Sequence, residues 1–142
     1  MAIIKEKKFI IKSVIENLSP SGAAEGEPEG TSIVCDGFLK ISGNEINISY
    51  TENSEGGKIV SDITVSDGVV RVKRVGAVES DIIFSPDKPH KSLYRVPPFS
   101  FDTTVVTKKI RNSLTKDGGR LDIYYDMEIG GAAKYVKMRI EC

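Results

Sequence analysis

Residues 121–129 read LDIYYDMEI, which sets Leu121, Ile123, Tyr125, Met127 and Ile129 in alternation with Asp122, Tyr124, Asp126 and Glu128. Side chains of an extended chain point to opposite faces in turn. This spacing therefore predicts a strand with one face on a core and the other in water. The same period recurs in 45–50, where Ile46, Ile48 and Tyr50 oppose Asn47 and Ser49. It recurs less cleanly in 134–140, where Val136, Met138 and Ile140 stand against Lys134, Lys137 and Arg139. Valine, isoleucine and threonine dominate these runs, as a pleated, half-buried surface favours. No window long enough for a helix carries a convincing helical apolar stripe.

Turn signals punctuate the runs: Ser42-Gly43-Asn44, Glu55-Gly56-Gly57, Asp67-Gly68, Ser85-Pro86-Asp87, Pro97-Pro98, Asp117-Gly118-Gly119 and Gly130-Gly131. Asp-Gly and Gly-Gly suit tight hairpin turns, which need positive φ. The strands expected between them are 7–16, 31–41, 45–52, 58–65, 69–75, 78–84, 91–96, 102–115, 120–129 and 133–141. The first is the one helix-or-strand ambiguity, and Phe9-Ile10-Ile11 with Val14-Ile15 decides it for strand. Hairpin-length turns predict an up-and-down order. About eight to ten such strands leave long exposed edges unless the sheet closes on itself. The expected fold is therefore all-β, a closed antiparallel up-and-down barrel. Its interior is either filled or holds one small ligand.

The 142 residues fit one domain, 1–142. Residues 17–30, NLSPSGAAEGEPEG, have too little apolar area to bury and read as a mobile loop within it. Twenty basic and twenty acidic residues cancel. That argues against a nucleic-acid partner, whose phosphates call for a basic excess. Residues 1–71 carry 7 basic and 11 acidic groups and residues 72–142 carry 13 and 9, a mild polarity that names no partner. Cys35 and Cys142 make no disulfide framework. The start MAIIKEKKFI lacks a secretory apolar region, and no stretch is long enough to span a bilayer. The expectation is a soluble, cytoplasmic protein with free thiols and no membrane partner.

A further set of residues resembles a known family. It comprises Arg74-Val75-Gly76-Ala77-Val78 with Ser80 and Phe84, His90-Lys91-Ser92-Leu93-Tyr94, Thr107-Lys108-Lys109-Ile110 and Leu114. It continues with Asp117-Gly118-Gly119 and Tyr125-Asp126-Met127-Glu128-Ile129 and, earlier in the chain, Asp36-Gly37 and Tyr50 with Glu52. In order and spacing these are similar to the YwiB-like family of small bacterial cytoplasmic proteins. The resemblance covers roughly residues 31–140. It implies a calycin-type β-barrel, the architecture of lipocalins and fatty-acid-binding proteins. It implies no activity, because the family is one of unknown function. The chain departs from the pattern at Val96-Pro97-Pro98-Phe99 and in the Gly-rich stretch after Glu52.

Several constellations suggest chemistry and have plainer explanations. His90 is the lone histidine, without partners for a triad or metal site, and reads as an exposed loop residue. Cys35 shares parity with Ile33, Gly37, Leu39 and Ile41 and is followed by Asp36, so it reads as a small core residue. Asp117-Gly118-Gly119 precedes a strand and is a turn, not a phosphate cradle. Asp122, Asp126 and Glu128 could space like a glycosidase pair, but polar-out alternation reads them as a solvated face. Lys88, His90, Lys91, Arg95, Lys108, Lys109 and Arg111 interleave with Tyr94, Phe99 and Phe101. That could hold a phosphorylated ligand, or be an outer face whose lysines discourage edge pairing. No cofactor, metal or catalytic residue is expected.

One set matters if the barrel is hollow. Arg74 is in phase with Val70 and Val72, Ser80 with Ile82 and Phe84, and Glu52 with Ile46, Ile48 and Tyr50. A charge inside an apolar barrel needs a partner. Arg74–Glu52 is then a structural pair, or Arg74 with Tyr94 holds a ligand's anionic group. The candidate ligand residues are Arg74, Tyr94, Glu52 and Ser80. The expected role is a binding module for a small, partly apolar or anionic molecule. The alternative is a filled barrel that serves as a protein-interaction or homodimeric module. No motif supports an enzyme.

Overall fold

Tight turns fold the alternating runs into a meander. At Asp67-Gly68 both residues take positive φ, 52° and 75°, which matches the twist of the strands they join. The computed structural model describes residues 2–142 and contains ten strands. They are β1 (Ala2–Leu18), β2 (Glu29–Ser42), β3 (Glu45–Ser54), β4 (Gly57–Ser66), β5 (Val69–Gly76), β6 (Ser80–Phe84), β7 (His90–Val96), β8 (Phe99–Asn112), β9 (Arg120–Ile129) and β10 (Ala132–Glu141). Their order in the single sheet is β6-β5-β4-β3-β2-β1-β10-β9-β8-β7, all antiparallel. Sequence neighbours pair throughout except β6 with β7, and the first and last strands close the circle. The up-and-down expectation holds. No helix among the described residues is long and apolar enough to cross a membrane.

The circle is nearly complete at β6 and β7. Glu79 and Arg95 exchange both backbone hydrogen bonds at 2.8 Å, and their side chains pair at 3.6 Å. Further along, the His90 ring spans the seam and its Nε2–H donates to the Asp81 carbonyl at 3.2 Å. His90 thus opens β7, half-buried, instead of lying exposed in a loop. Its imidazole satisfies a strand-edge carbonyl that the missing ladder leaves free.

Several boundaries moved because tertiary pairing extends strands beyond their local propensity. β1 begins at Ala2, not at residue 7, since Ala2 lies opposite Ser42. The stretch 17–30 gives up both ends: Leu18 pairs with Ala133 and Gly30 with Val14. The remaining 19–28 connection carries its own turn, with Ser19 N–H donating to Ala23 O at 2.8 Å. β8 spans 99–112, not 102–115, because Phe99 pairs with Val96.

Two ends can be distinguished. The basal end carries turns 43–44, 67–68, 85–89 and 113–119, and the upper end carries 19–28, 55–56, 77–79, 97–98 and 130–131. The basal half is packed with Phe9, Leu39, Ile48, Ile63, Val70, Phe84, Leu121, Ile123 and Ile140, and Leu114 closes it from the 113–119 loop. Phe84 on β6 meets Tyr125 on β9 with ring centroids 4.6 Å apart, so side chains bridge the lumen at mid-height.

The wall also parts between β2 and β3, away from the β6–β7 seam. β2 and β3 pair from Ser42↔Glu45 up to Gly37↔Tyr50 and no further, although both strands continue. A Cβ on Gly37 would collide with the Ser49 carbonyl oxygen and stand 3.0 Å from Tyr50 Cβ and 3.1 Å from the Phe9 ring. Only glycine lets β2 cross so close to β3 before leaving it. Gly37→Ala should destabilise the fold by about 1–3 kcal/mol in urea melts, the usual cost of overpacking. Gly30→Ala, with open space around it, should change stability by less than about 0.5 kcal/mol. Equal melts for the two variants would remove Gly37 from this role.

Candidate functional site

The inward rows change character with height. Below mid-barrel they are aliphatic and aromatic. Above it come Tyr50 and Glu52 on β3, Ser61 on β4, Arg74 on β5, Ser80 on β6, Ser92 and Tyr94 on β7, and Tyr125 on β9. The structure brings three of the expected residues, Glu52, Arg74 and Ser80, together. Arg74 Nη2 donates to Glu52 Oε1 at 2.8 Å, with the two side chains 26% and 18% exposed. Ser80 lies directly opposite Arg74 in the β5–β6 ladder. Tyr94 faces inward from β7 across the seam.

Burial dominates the phenols here. It pushes Tyr125 up to about 12, against the Arg74 cation, which draws it down, and with Tyr94 raising it further. Tyr50 is raised by burial too, while the Ser61 hydroxyl and Arg74 pull the other way. Ser61 lies opposite Tyr50 in the β3–β4 ladder, yet its Oγ makes no properly formed hydrogen bond. Ser92 Oγ is likewise buried without a partner. Unsatisfied buried hydroxyls are uncommon and mark places where another group can bond. Cys35, 7% exposed, is the core residue its parity predicts. Desolvation raises its pKa first, then the carboxylates of Glu52 and Asp36, so the thiol stays protonated.

The upper end adds residues that were not singled out as ligand contacts. Lys134 belongs to the inward row of Val136, Met138 and Ile140, and its Nζ donates to Asn17 Oδ1 at 2.9 Å. That partner is a neutral amide, and Lys134 forms no ion pair among the described residues. Three of the exposed large apolar side chains belong to inward rows of this end: Val96 (38%), Phe101 (39%) and Phe99 (65%). Ile15, Ile33 and Met127, half-buried, continue the apolar lining below them. The parity of 134–140 was the available signal for Lys134, but a lysine beside a turn reads as solvated.

Two constellations come apart. Tyr94, Phe99 and Phe101 sit on the inward face of the β7–β8 hairpin, whereas Lys91 and Arg95 sit on its outward face. The aromatic and basic groups therefore form no common surface. Arg95 pairs with Glu79, and Lys108 with Asp126 at 3.2 Å. On the outer face of β9, Asp122 is not solvated as expected. Its side chain is 7% exposed, bound by Arg139 Nε at 2.7 Å and flanked by Arg120 at 3.6 Å. The long arginine stems cover it.

Two measurements probe this wall. Arg74→Met and Glu52→Gln should each destabilise by about 1–3 kcal/mol in urea, with the double variant costing less than their sum. Strict additivity would show that the pair is not coupled. For Tyr125, a folded-state pKa above the unfolded one favours the protonated form in the native state. Its contribution is complete below about pH 10 and is lost as pH rises from there towards 12. An absorbance titration of the five tyrosines should show Tyr125 ionising last. Tyr125→Phe should flatten the loss of stability across that window, and an unchanged slope would contradict the assignment.

Comparison with known proteins places these features in a family context. The model of the family described as "Domain of unknown function (DUF1934)" matches residues 18–141. The chain is 29% identical over 126 residues to the uncharacterized beta-barrel protein YwiB of Bacillus subtilis (strain 168), covering 89% of this chain and 84% of that protein. The crystal structure of the ywiB protein from Bacillus subtilis superposes with a TM-score of 0.76 at 25% identity, over 97% of this chain and 94% of that one.

Proposed function

Because the chain belongs to the DUF1934 family, whose description leaves its role open, we propose from geometry that it is a small-molecule-binding barrel entered at the upper end. The carrying observation is the gathering of Val96, Phe99 and Phe101, inward-row and exposed, at the end where Lys134 and Arg74 lie. Exposed apolar side chains on an inward face mark a binding surface more often than a packing error. A ligand with an apolar body would rest on Phe101, Ile15, Ile33 and Met127. Its anionic group would meet Lys134, whose charge has only an amide beside it. Ser61 Oγ and Ser92 Oγ offer two further hydrogen bonds deeper in. The Phe84–Tyr125 contact limits the depth, so the ligand is small or only partly enclosed. The barrel is of the calycin kind in this reading, and it carries out no reaction.

The same reading sets the protein in a reducing, aqueous compartment, the cytoplasm. Cys35 and Cys142 are free thiols. The outward rows carry Lys12–Glu141 at 3.2 Å, Arg71–Asp81 and Lys108–Asp126. Charges of this density suit a wall bathed in water, since a lipid-facing wall makes each costly.

The test uses 8-anilinonaphthalene-1-sulfonate, an aromatic anion, as the probe. One saturable site is expected, weakened about tenfold by Phe101→Ala and by Lys134→Met, each factor of ten being about 1.4 kcal/mol. Thermal melts of both variants must match the parent, because this dye also binds loosened states. Equal affinity in the parent and both variants would exclude the upper end as the site. The second reading, a filled module acting through protein contacts or as a homodimer, rests on the bridged lumen. Salt-sensitive self-association in sedimentation, with no dye binding, would favour it instead.

A further inference from the structure

We propose that the β3-facing edge of β2 over residues 29–36 is a docking site for an extended, basic-flanked peptide segment, which adds to the barrel wall as an antiparallel strand. Along this length β2 pairs with β1 from Ile15↔Glu29 to Lys8↔Asp36, and its other edge has no strand partner. The opposite edge of the gap, β3 above Tyr50, pairs only with β4. Eight residues of strand span about 26 Å, enough for a full recognition strand. A free edge of this kind presents backbone donors and acceptors in register and serves as a template for another chain.

Natural edges are guarded by lysine, proline, a bulge or a covering element. Between Gly30 and Cys35 this one reads GTSIVC, with no charge and no proline. Val34 stands outward and 59% exposed, an apolar contact for a residue of the incoming strand. Over residues 2–9 β1 is likewise unpaired on its β10 side, but Lys5, Lys7 and Lys8 guard it; the unpaired edges of β6 and β7 face each other. They are bridged by Glu79–Arg95 and by the His90 ring.

Charge selects the occupant. The unguarded stretch is bounded by Glu29 and Asp36, and Glu25 and Glu27 stand in the exposed loop just before it. Lys8 lies across the ladder from Asp36, on the β1 side and away from the free edge. A second copy paired antiparallel about the centre of this stretch would bring the acidic start of each copy, Glu25, Glu27 and Glu29, towards Asp36 of the other, like charges near one another at both ends. An extended segment with Lys or Arg at both ends and β-branched residues between them meets acidic groups at both ends instead. The proposal does not rest on the ligand reading, since it uses backbone groups of the strand edge and not the inward side chains.

The experiment is amide hydrogen exchange on the full chain with a synthetic peptide, acetyl-Lys-Arg-Thr-Val-Thr-Val-Thr-Arg-Lys-amide. Alternate amides of residues 31–35 should exchange freely in the protein alone and slow at least tenfold with peptide. Affinity should fall with salt. A control peptide with Glu in place of each Lys and Arg should bind at least tenfold more weakly. Val34→Lys, and separately Ser32→Lys, place a guard charge on the outward side of the edge. Each should reduce peptide affinity at least tenfold and leave the thermal melt unchanged. The proposal is overturned if those amides are already protected without peptide, if protection depends on protein concentration alone, if it arises at His90–Tyr94, or if the acidic control binds equally.

Discussion

The ladder between β1 and β10 is the constraint on which the rest of the structure depends. It runs from Ile10↔Glu141 to Leu18↔Ala133 and joins residues at opposite ends of the chain; Asn17 and Lys134, which it brings into hydrogen-bond contact, are 117 residues apart. Without it the chain is two separate meanders, β1–β6 and β7–β10, joined at the seam only by the Glu79–Arg95 bridge and the His90 ring. With it, β6 and β7 arrive face to face, and one backbone bridge with the His90 ring suffices to hold the seam. Phe84 and Tyr125 also meet only because the sheet has curled. Such non-local closure must overcome loop entropy before its contacts reward it, so the fold is expected to form slowly and as one cooperative unit.

Closure also explains why the inward rows are divided. The basal end is sealed by Leu114 and by the exchange of backbone hydrogen bonds between Gly119 and Cys142 at 3.0 and 3.2 Å. Its interior is accordingly aliphatic. At the upper end the inward rows hold a guanidinium, a carboxylate, phenols and hydroxyls. For stability alone, well-packed aliphatics would serve as well as a half-buried Arg74–Glu52 pair, whose attraction roughly offsets its desolvation.

Much of this was legible in the sequence because a strand's period is local. Alternation placed Leu121–Ile129 correctly, and it put Arg74, Glu52 and Ser80 on inward faces before any pairing was known. The same parity separated Tyr94 from Arg95, although reading the segment as one basic and aromatic patch ignored it. Other features depend on residues far apart in the chain. Asp122 is buried because Arg139 of the neighbouring strand lies over it. His90 is held because β6 and β7 fail to pair beside it. The divergence of β2 from β3 depends on how closely Gly37 approaches Ser49, and nothing in the local sequence Cys35-Asp36-Gly37-Phe38 distinguishes a hinge from an ordinary strand glycine. Lys134 was overlooked because an inward lysine contradicts polar-out alternation. Departures of that kind are where function is most often found.

The gap between β2 and β3 has a local cause. Gly37 lets β2 cross β3 closely and then leave it. That departure frees the β2 edge and also thins the wall next to Glu52. Cys35 on the departing strand lies close enough to Glu52 for the carboxylate to raise its thiol pKa. Glu52 in turn anchors Arg74, which acts on Tyr50 and Tyr125. A strand laid along β2 would close the wall beside this network and lower the water access to its charges. Lower dielectric strengthens the interaction of Arg74 with any anion inside and raises the cost of leaving it unpaired. On the two proposals, an edge partner and an interior anion would act on one polar network from two sides of one wall. By linkage, whatever factor one contributes to the other's affinity is returned in equal measure.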